Sequence, residues 1–125
     1  MIESIGQKGE PVKGFYSPAK KIDLGSCYLI FVSGIQASNT NVGIAEQTHE
    51  VFNVIESILQ NAGATFDDVV KAVIYVTDMK DFEVVSKIRQ DYFINSKPVS
   101  TLVEVNRMVN DGAKIEIEVT AIIKK

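Results

Sequence analysis

Two stretches of this chain, Tyr28–Val32 and Val69–Val76, are apolar in both registers of a β-strand. Side chains of a strand alternate between faces, so a half-buried strand reads as alternating apolar and polar positions. Tyr28-Leu29-Ile30-Phe31-Val32 and Val69-Val70-Lys71-Ala72-Val73-Ile74-Tyr75-Val76 instead put apolar groups on both faces, which predicts a buried strand and a central one. Only two helical stretches are available to cover such a sheet. From Ile44 to Ala62, Ile44, Val51, Ile55, Leu59 and Ala62 recur at helical spacing, and Gly63 sits where a left-handed stop belongs. Asp78 and Asp81 mark a second start, followed by the stripe Phe82, Val85, Ile88 and Tyr92. Two helices cover one face. The other keeps its apolar residues, and a patch of that kind predicts a closed homo-oligomer.

The remaining elements complete an α+β pattern. Val12–Tyr16 and Lys21–Leu24 read as short strands split at Ser17-Pro18, and Ser38-Asn39-Thr40-Asn41 supplies capping chemistry for the first helix. Thr101–Val105 and Lys114–Ile123 read as a hairpin turned at Asn110-Asp111-Gly112. In its second strand Ile115, Ile117, Val119 and Ala121 face one way, and Glu116, Glu118 and Thr120 the other. The order β-β-β-α-β-α-β-β predicts a single domain over residues 1–125, a six-stranded mixed sheet with two helices on one face. At 125 residues and 13.8 kDa, no metal or disulfide is needed to complete the core.

Composition removes several function classes. Thirteen basic against sixteen acidic residues give a net charge of −3, which argues against electrostatic nucleic-acid binding. Cys27 is the single cysteine and His49 the single histidine, so a multi-cysteine zinc site or histidine-rich metal cluster is excluded. No apolar run approaches the roughly eighteen residues of a membrane span, and the polar, glycine-broken N-terminus has no signal-peptide core, so a cytoplasmic location is expected. His49 reads as a surface residue of the first helix, and Cys27 as a small buried hydrophobe.

Several short segments carry a resemblance. Tyr16-Ser17, Phe31-Val32-Ser33-Gly34, Asp67-Asp68-Val69-Val70-Lys71, Val76-Thr77-Asp78-Met79-Lys80-Asp81-Phe82, Val103-Glu104-Val105 and Ile115-Glu116-Ile117-Glu118 occur in an order and spacing that resemble the reactive intermediate deaminase family. This family is also called Rid, YjgF or endoribonuclease L-PSP. The resemblance implies a homotrimer whose sheets form a central barrel, with three clefts between subunits. It also implies hydrolysis of 2-imino or enamine acids to 2-oxo acids and ammonia, without metal or cofactor. A small carboxylate or imine metabolite is then the expected ligand.

Carried over residue by residue, the resemblance makes Glu116 the group that holds the attacking water, with Tyr16, Ser17, Gly34 and Ile35 lining the cleft. Active members carry an arginine in a Pro-x-Arg-Ser-x-Val-Glu-Val segment; here the segment is Pro98–Val105, and Ser100 takes the arginine's place. Leu102 stands where a cleft cysteine is frequent and Ser86 where an asparagine is frequent; both are assigned to substrate binding. A serine hydroxyl offers one neutral donor in place of a charged fork, so carboxylate binding should weaken by about tenfold or more. Arg89 falls on the second helix and Lys20 and Lys97 in loops, and spacing alone carries none of them to the cleft. Two readings follow: an imine hydrolase in which Ser100 donates to the substrate, and a non-catalytic trimer that binds small metabolites. RNA cleavage, named in the older family title, ranks last for an acidic chain with one histidine.

Overall fold

The computed structural model describes all of residues 1–125. Six strands and two helices are present: β1 Ile2–Ile5, β2 Ala19–Asp23, β3 Cys27–Gln36, α1 Ile44–Asn61, β4 Val69–Val76, α2 Phe82–Tyr92, β5 Val99–Glu104 and β6 Ile115–Lys124. They form one mixed sheet in the order β1-β2-β3-β6-β4-β5. The α+β class, the six strands and the two helices agree with expectation.

Two local expectations are overturned. Residues 12–16 are not a strand; the first strand is Ile2–Ile5, whose Ile5 pairs with Ala19 and is buried beside it. The β5–β6 hairpin is also absent, because β6 inserts between β3 and β4, antiparallel to both, while β5 runs parallel to β4. The reason lies in the connections. β4, α2 and β5 make a crossover unit, which delivers its second strand parallel to the first. The ten residues between β5 and β6 then carry the chain past β4. The Asn110-Asp111-Gly112 turn does form, with the Ala113 amide donating to the Asn110 carbonyl at 3.1 Å, but it ends a loop.

Helix α1 ends as anticipated: Gly63 at φ 88° lets its own amide reach the Gln60 carbonyl and the Ala64 amide reach the Leu59 carbonyl. Its start differs. Gly43 precedes the first turn, and its amide donates to the Glu46 carboxylate at 2.9 Å. The amides of Ser38 and Asn39 donate instead to Glu50, at 2.6 and 3.2 Å, because the chain turns back along the helix. Against the sheet, α1 buries Val51, Phe52, Ile55, Ile58 and Leu59; α2 adds Val85 and packs Ile88 and Tyr92 on the same core. Phe52 stacks on Tyr92 with centroids 4.2 Å apart, and Phe66 and Phe93 meet them edge-on. Such pairs add roughly 0.5–1.5 kcal/mol each beyond their burial.

The alternation of β6 orients the whole sheet. Ile115, Ile117, Val119 and Ala121 are buried beneath the helices, while Glu116, Glu118 and Thr120 lie on the opposite face. That outer face has no helix. Ile2, Phe31, Ile122, Val99 and Val103 stand exposed on it, Val99 at 69%. The isolated chain exposes 7395 Å², against roughly 6,600 Å² for a compact monomer of its mass.

Candidate functional site

The anticipated site residues fall into two groups, one around β3 and the loop before β2, the other where α2 meets β5. The first is built around an irregularity in β3. Between Val32, paired with Val119, and Ile35, paired with Ile117, β3 spends three residues where β6 spends two. A bulge of this kind re-aims side chains locally. Here it places Gly34 against Glu116: a Cβ at position 34 would stand 2.7 Å from the carboxylate carbon, so only glycine leaves the carboxylate its place. Glu116 Oε1 accepts a hydrogen bond from Gln36 Nε2 at 2.7 Å, and Gln36 Oε1 in turn accepts from the Asn110 amide at 3.0 Å. This chain of bonds orients the carboxylate and leaves Oε2 on the Gly34 side without a protein donor.

The loop before β2 is drawn to the same place. The Ser33 amide donates to the Pro18 carbonyl at 2.8 Å and the Ser33 hydroxyl to the Ser17 carbonyl at 2.8 Å, so Tyr16 and Ser17 sit beside the bulge. Tyr16, Gly34, Ile35 and Gln36 line one cavity of about 490 Å³, closed on another side by Val54 and Ile58 of α1 and by Val109 and Asn110. Four of the anticipated residues, Tyr16, Ser17, Gly34 and Ile35, are thus brought together near Glu116. Tyr16 is largely exposed, and its ring forms an outer rim.

The second group gathers where α2 meets β5. Ser100 pairs with Ala72 and Leu102 with Ile74, so both point to the helix side. Leu102 packs on the core beneath α2. Ser86, on α2, is linked to Ser100 through a residue that spacing did not single out: Arg89 donates from one terminal nitrogen to Ser100 Oγ at 3.1 Å and from the other to Ser86 Oγ at 2.9 Å. The readable signal was the three-residue interval between Ser86 and Arg89, which stacks them on one helix face. What no interval shows is that the same face abuts Ser100. Lys20, expected in a loop, is in β2 and donates to Ser4 Oγ.

Within one chain these groups do not meet. Glu116 is in the row Val103–Tyr75–Glu116–Gln36 on the bare face, whereas Ser100 is in the row Ser100–Ala72–Val119–Val32 on the helix face. Two strand spacings, about 10 Å, separate their strands as well. The neighbouring acids have structural partners: Glu118 accepts from the Tyr75 hydroxyl at 2.6 Å, and Glu104 from the Met79 amide at 2.8 Å. The bond to Glu118, then burial, holds the Tyr75 phenol above its ordinary value, so it stays a donor. His49 is exposed, with Nδ1 2.8 Å from the Tyr92 hydroxyl; Cys27 is half-buried rather than buried. No helix is long and apolar enough to cross a membrane.

The chain is similar in sequence and in fold to known proteins. The Endoribonuclease L-PSP family profile matches residues 9–123. A RutC family protein of Pyrococcus abyssi is 38% identical over 114 residues, covering 86% of each chain. A human protein named 2-iminobutanoate/2-iminopropanoate deaminase is 31% identical over 112 residues, covering 87% of this chain and 80% of its own. Among solved structures, a member of the YjgF/YER057c/UK114 family from Mycobacterium tuberculosis superposes with a TM-score of 0.81 at 33% identity, covering 96% of this chain and 98% of that one. The profile match over most of the chain, the identity with its relatives and the superposed fold lead to one assignment: this chain belongs to the Rid/YjgF family, the family of the endoribonuclease L-PSP proteins.

Proposed function

We propose that this chain hydrolyses small 2-imino acids to 2-oxo acids and ammonia in clefts between three copies of itself. The observation that carries this reading is the Glu116 carboxylate, pinned through Oε1 by Gln36 while Oε2 faces the space that Gly34 leaves open. A carboxylate held in this way positions a water and takes its proton as the water oxygen adds to the imine carbon. Glu116 returns that proton to the nitrogen, giving the amino alcohol; as its carbon–nitrogen bond breaks, the hydroxyl proton passes to the departing ammonia and the carbonyl of the 2-oxo acid forms. The deaminase name of the human relative supports the same chemistry. Because Ser100 and Glu116 face opposite sides of one sheet, the Ser100 group serving a given Glu116 belongs to a neighbouring copy. The apolar outer face and the surplus of about 800 Å² of surface over a compact monomer support such packing. Glu116 and Ser100 are then the catalytic pair, with Tyr16, Ser17, Gly34, Ile35, Leu102 and Ser86 around the substrate and the protein placed in the cytoplasm.

The test generates 2-aminoacrylate in place with a pyridoxal-phosphate dehydratase and follows the 2-oxo acid by absorbance. The wild type accelerates its appearance, and Glu116→Gln lowers kcat by about a hundredfold or more with the oligomer's mass unchanged. No acceleration at stoichiometric protein removes the hydrolase reading, and a single-copy mass at micromolar concentration removes the shared cleft. The neutral Ser100 favours a second reading, a trimer that binds metabolites without turning them over, and it survives if binding occurs without acceleration. Net charge −3 and a single histidine argue against RNA cleavage.

A further inference from the structure

The last turn of α2, the loop that follows it and the start of β5 border an open cavity of about 610 Å³. Arg89 and Ser100 are both among its lining residues, Ser100 as an exposed one. The Arg89 guanidinium is half-buried, and both its hydrogen-bond partners, Ser86 Oγ and Ser100 Oγ, are neutral. No carboxylate answers its charge, since the one ion pair in the structure joins Lys125 to Asp23 on another part of the surface. A guanidinium carries five N–H donors in a rigid plane, and these contacts use two. Each serine hydroxyl that accepts from Arg89 still has its own proton to donate. The cluster therefore keeps three N–H and two O–H donors and no committed anion, and Arg89 and Ser100 of the cluster line the cavity.

The rest of the lining reinforces that polarity. Lys97 adds a second cation, brought to the wall by a bend in which it takes φ 45°, the one left-handed non-glycine position in the chain. Asp91 is the single carboxylate of the lining. Holding the guanidinium between two hydroxyls removes its rotamer freedom before any ligand arrives, so less is lost on binding. A planar, two-oxygen anion is the partner that such a fork fits best.

We propose that Arg89 is the anion clamp of this chain: it binds the carboxylate of a small 2-oxo or 2-imino acid in the cavity between α2 and β5, and Ser86 and Ser100 position it. The cation absent from position 100 of the strand is thereby supplied by the helix above it. Only the choice of a 2-oxo acid rests on the hydrolase reading; the anion site rests on the local geometry.

Calorimetric titration with 2-oxobutanoate and with its uncharged amide tests the clamp without requiring turnover. The wild type prefers the carboxylate by at least about tenfold. Arg89→Gln abolishes that preference, Arg89→Lys keeps part of it, and the double change Ser86→Ala with Ser100→Ala gives an intermediate loss at unchanged thermal unfolding. A wild type that does not discriminate the two ligands, or an Arg89→Gln protein that still does, overturns the proposal. The imine assay separates the two readings. Turnover with KM unchanged in Arg89→Gln rejects the clamp and keeps the hydrolase, whereas Arg89-dependent binding without turnover does the reverse.

Discussion

The two faces of the sheet are made from the same strands and meet opposite surroundings. Beneath α1 and α2, Ile30, Val32, Ile74, Ile115 and Ile117 are sealed to 0–4% exposure. One residue along, on the other face, Phe31 stands 46% exposed in a row with Thr120 and Lys71. The helix side holds the domain together, while the bare side carries Glu116, Glu118 and the apolar residues that copies of the chain would cover. The chemistry follows the same division: the oriented carboxylate lies on the bare face, while the cation and Ser86 stand on α2 and reach Ser100 on the helix face. In the proposed reaction the two come from different copies of the chain.

Substitutions can be chosen to break that contrast. Ile117→Ala, on the sealed face, should lower the unfolding free energy by about 2–5 kcal/mol, read by urea denaturation, because the cavity cannot fully close. Phe31→Asp, on the bare face, should leave the far-ultraviolet spectrum of the chain intact while reducing the sedimenting mass of the proposed trimer to that of one copy. If both changes act on stability alone, the faces are not functionally distinct. Gly34→Ala is a finer probe, since its backbone is compatible with alanine but its Cβ would displace the Glu116 carboxylate. Imine hydrolysis should fall roughly ten- to a hundredfold with little change in melting temperature. The smallest effect concerns Glu50. Burial works against its charge, but the Ser38 and Asn39 amides and the Ser38 hydroxyl hold its carboxyl below the ordinary value of 4.5. Its contribution is complete above pH 4.5 and disappears as acid carries the pH down through the folded-state value. Glu50→Gln should therefore flatten the acid limb of a stability-against-pH curve, by about 1 kcal/mol at neutral pH.

Residue pattern revealed much of the fold and part of the site. The α1 stripe, its Gly63 stop and the alternation of β6 were legible because each depends on neighbours within a few residues. The supposed hairpin failed because a turn signature describes four residues, whereas the partner of β6 depends on where the β4–α2–β5 crossover has placed β5. The supposed strand at Val12–Tyr16 failed for a related reason: Ile2–Ile5 takes the edge position beside β2 instead. At the site, Glu116, Gly34 and Tyr16 were recognisable through resemblance, but Gln36 and Asn110 were not, because their value lies in reaching Glu116 across 80 residues and each other across 74.

The order of apolar and polar residues by itself determined an α+β chain with an uncovered sheet face, since burial period and helix count are properties of the string. Only the tertiary structure decided that β6 is central, that Gly34 makes room for a carboxylate, and that Arg89 stands over Ser100. Those are contacts between segments far apart in the chain, and no local preference specifies which distant surfaces will meet.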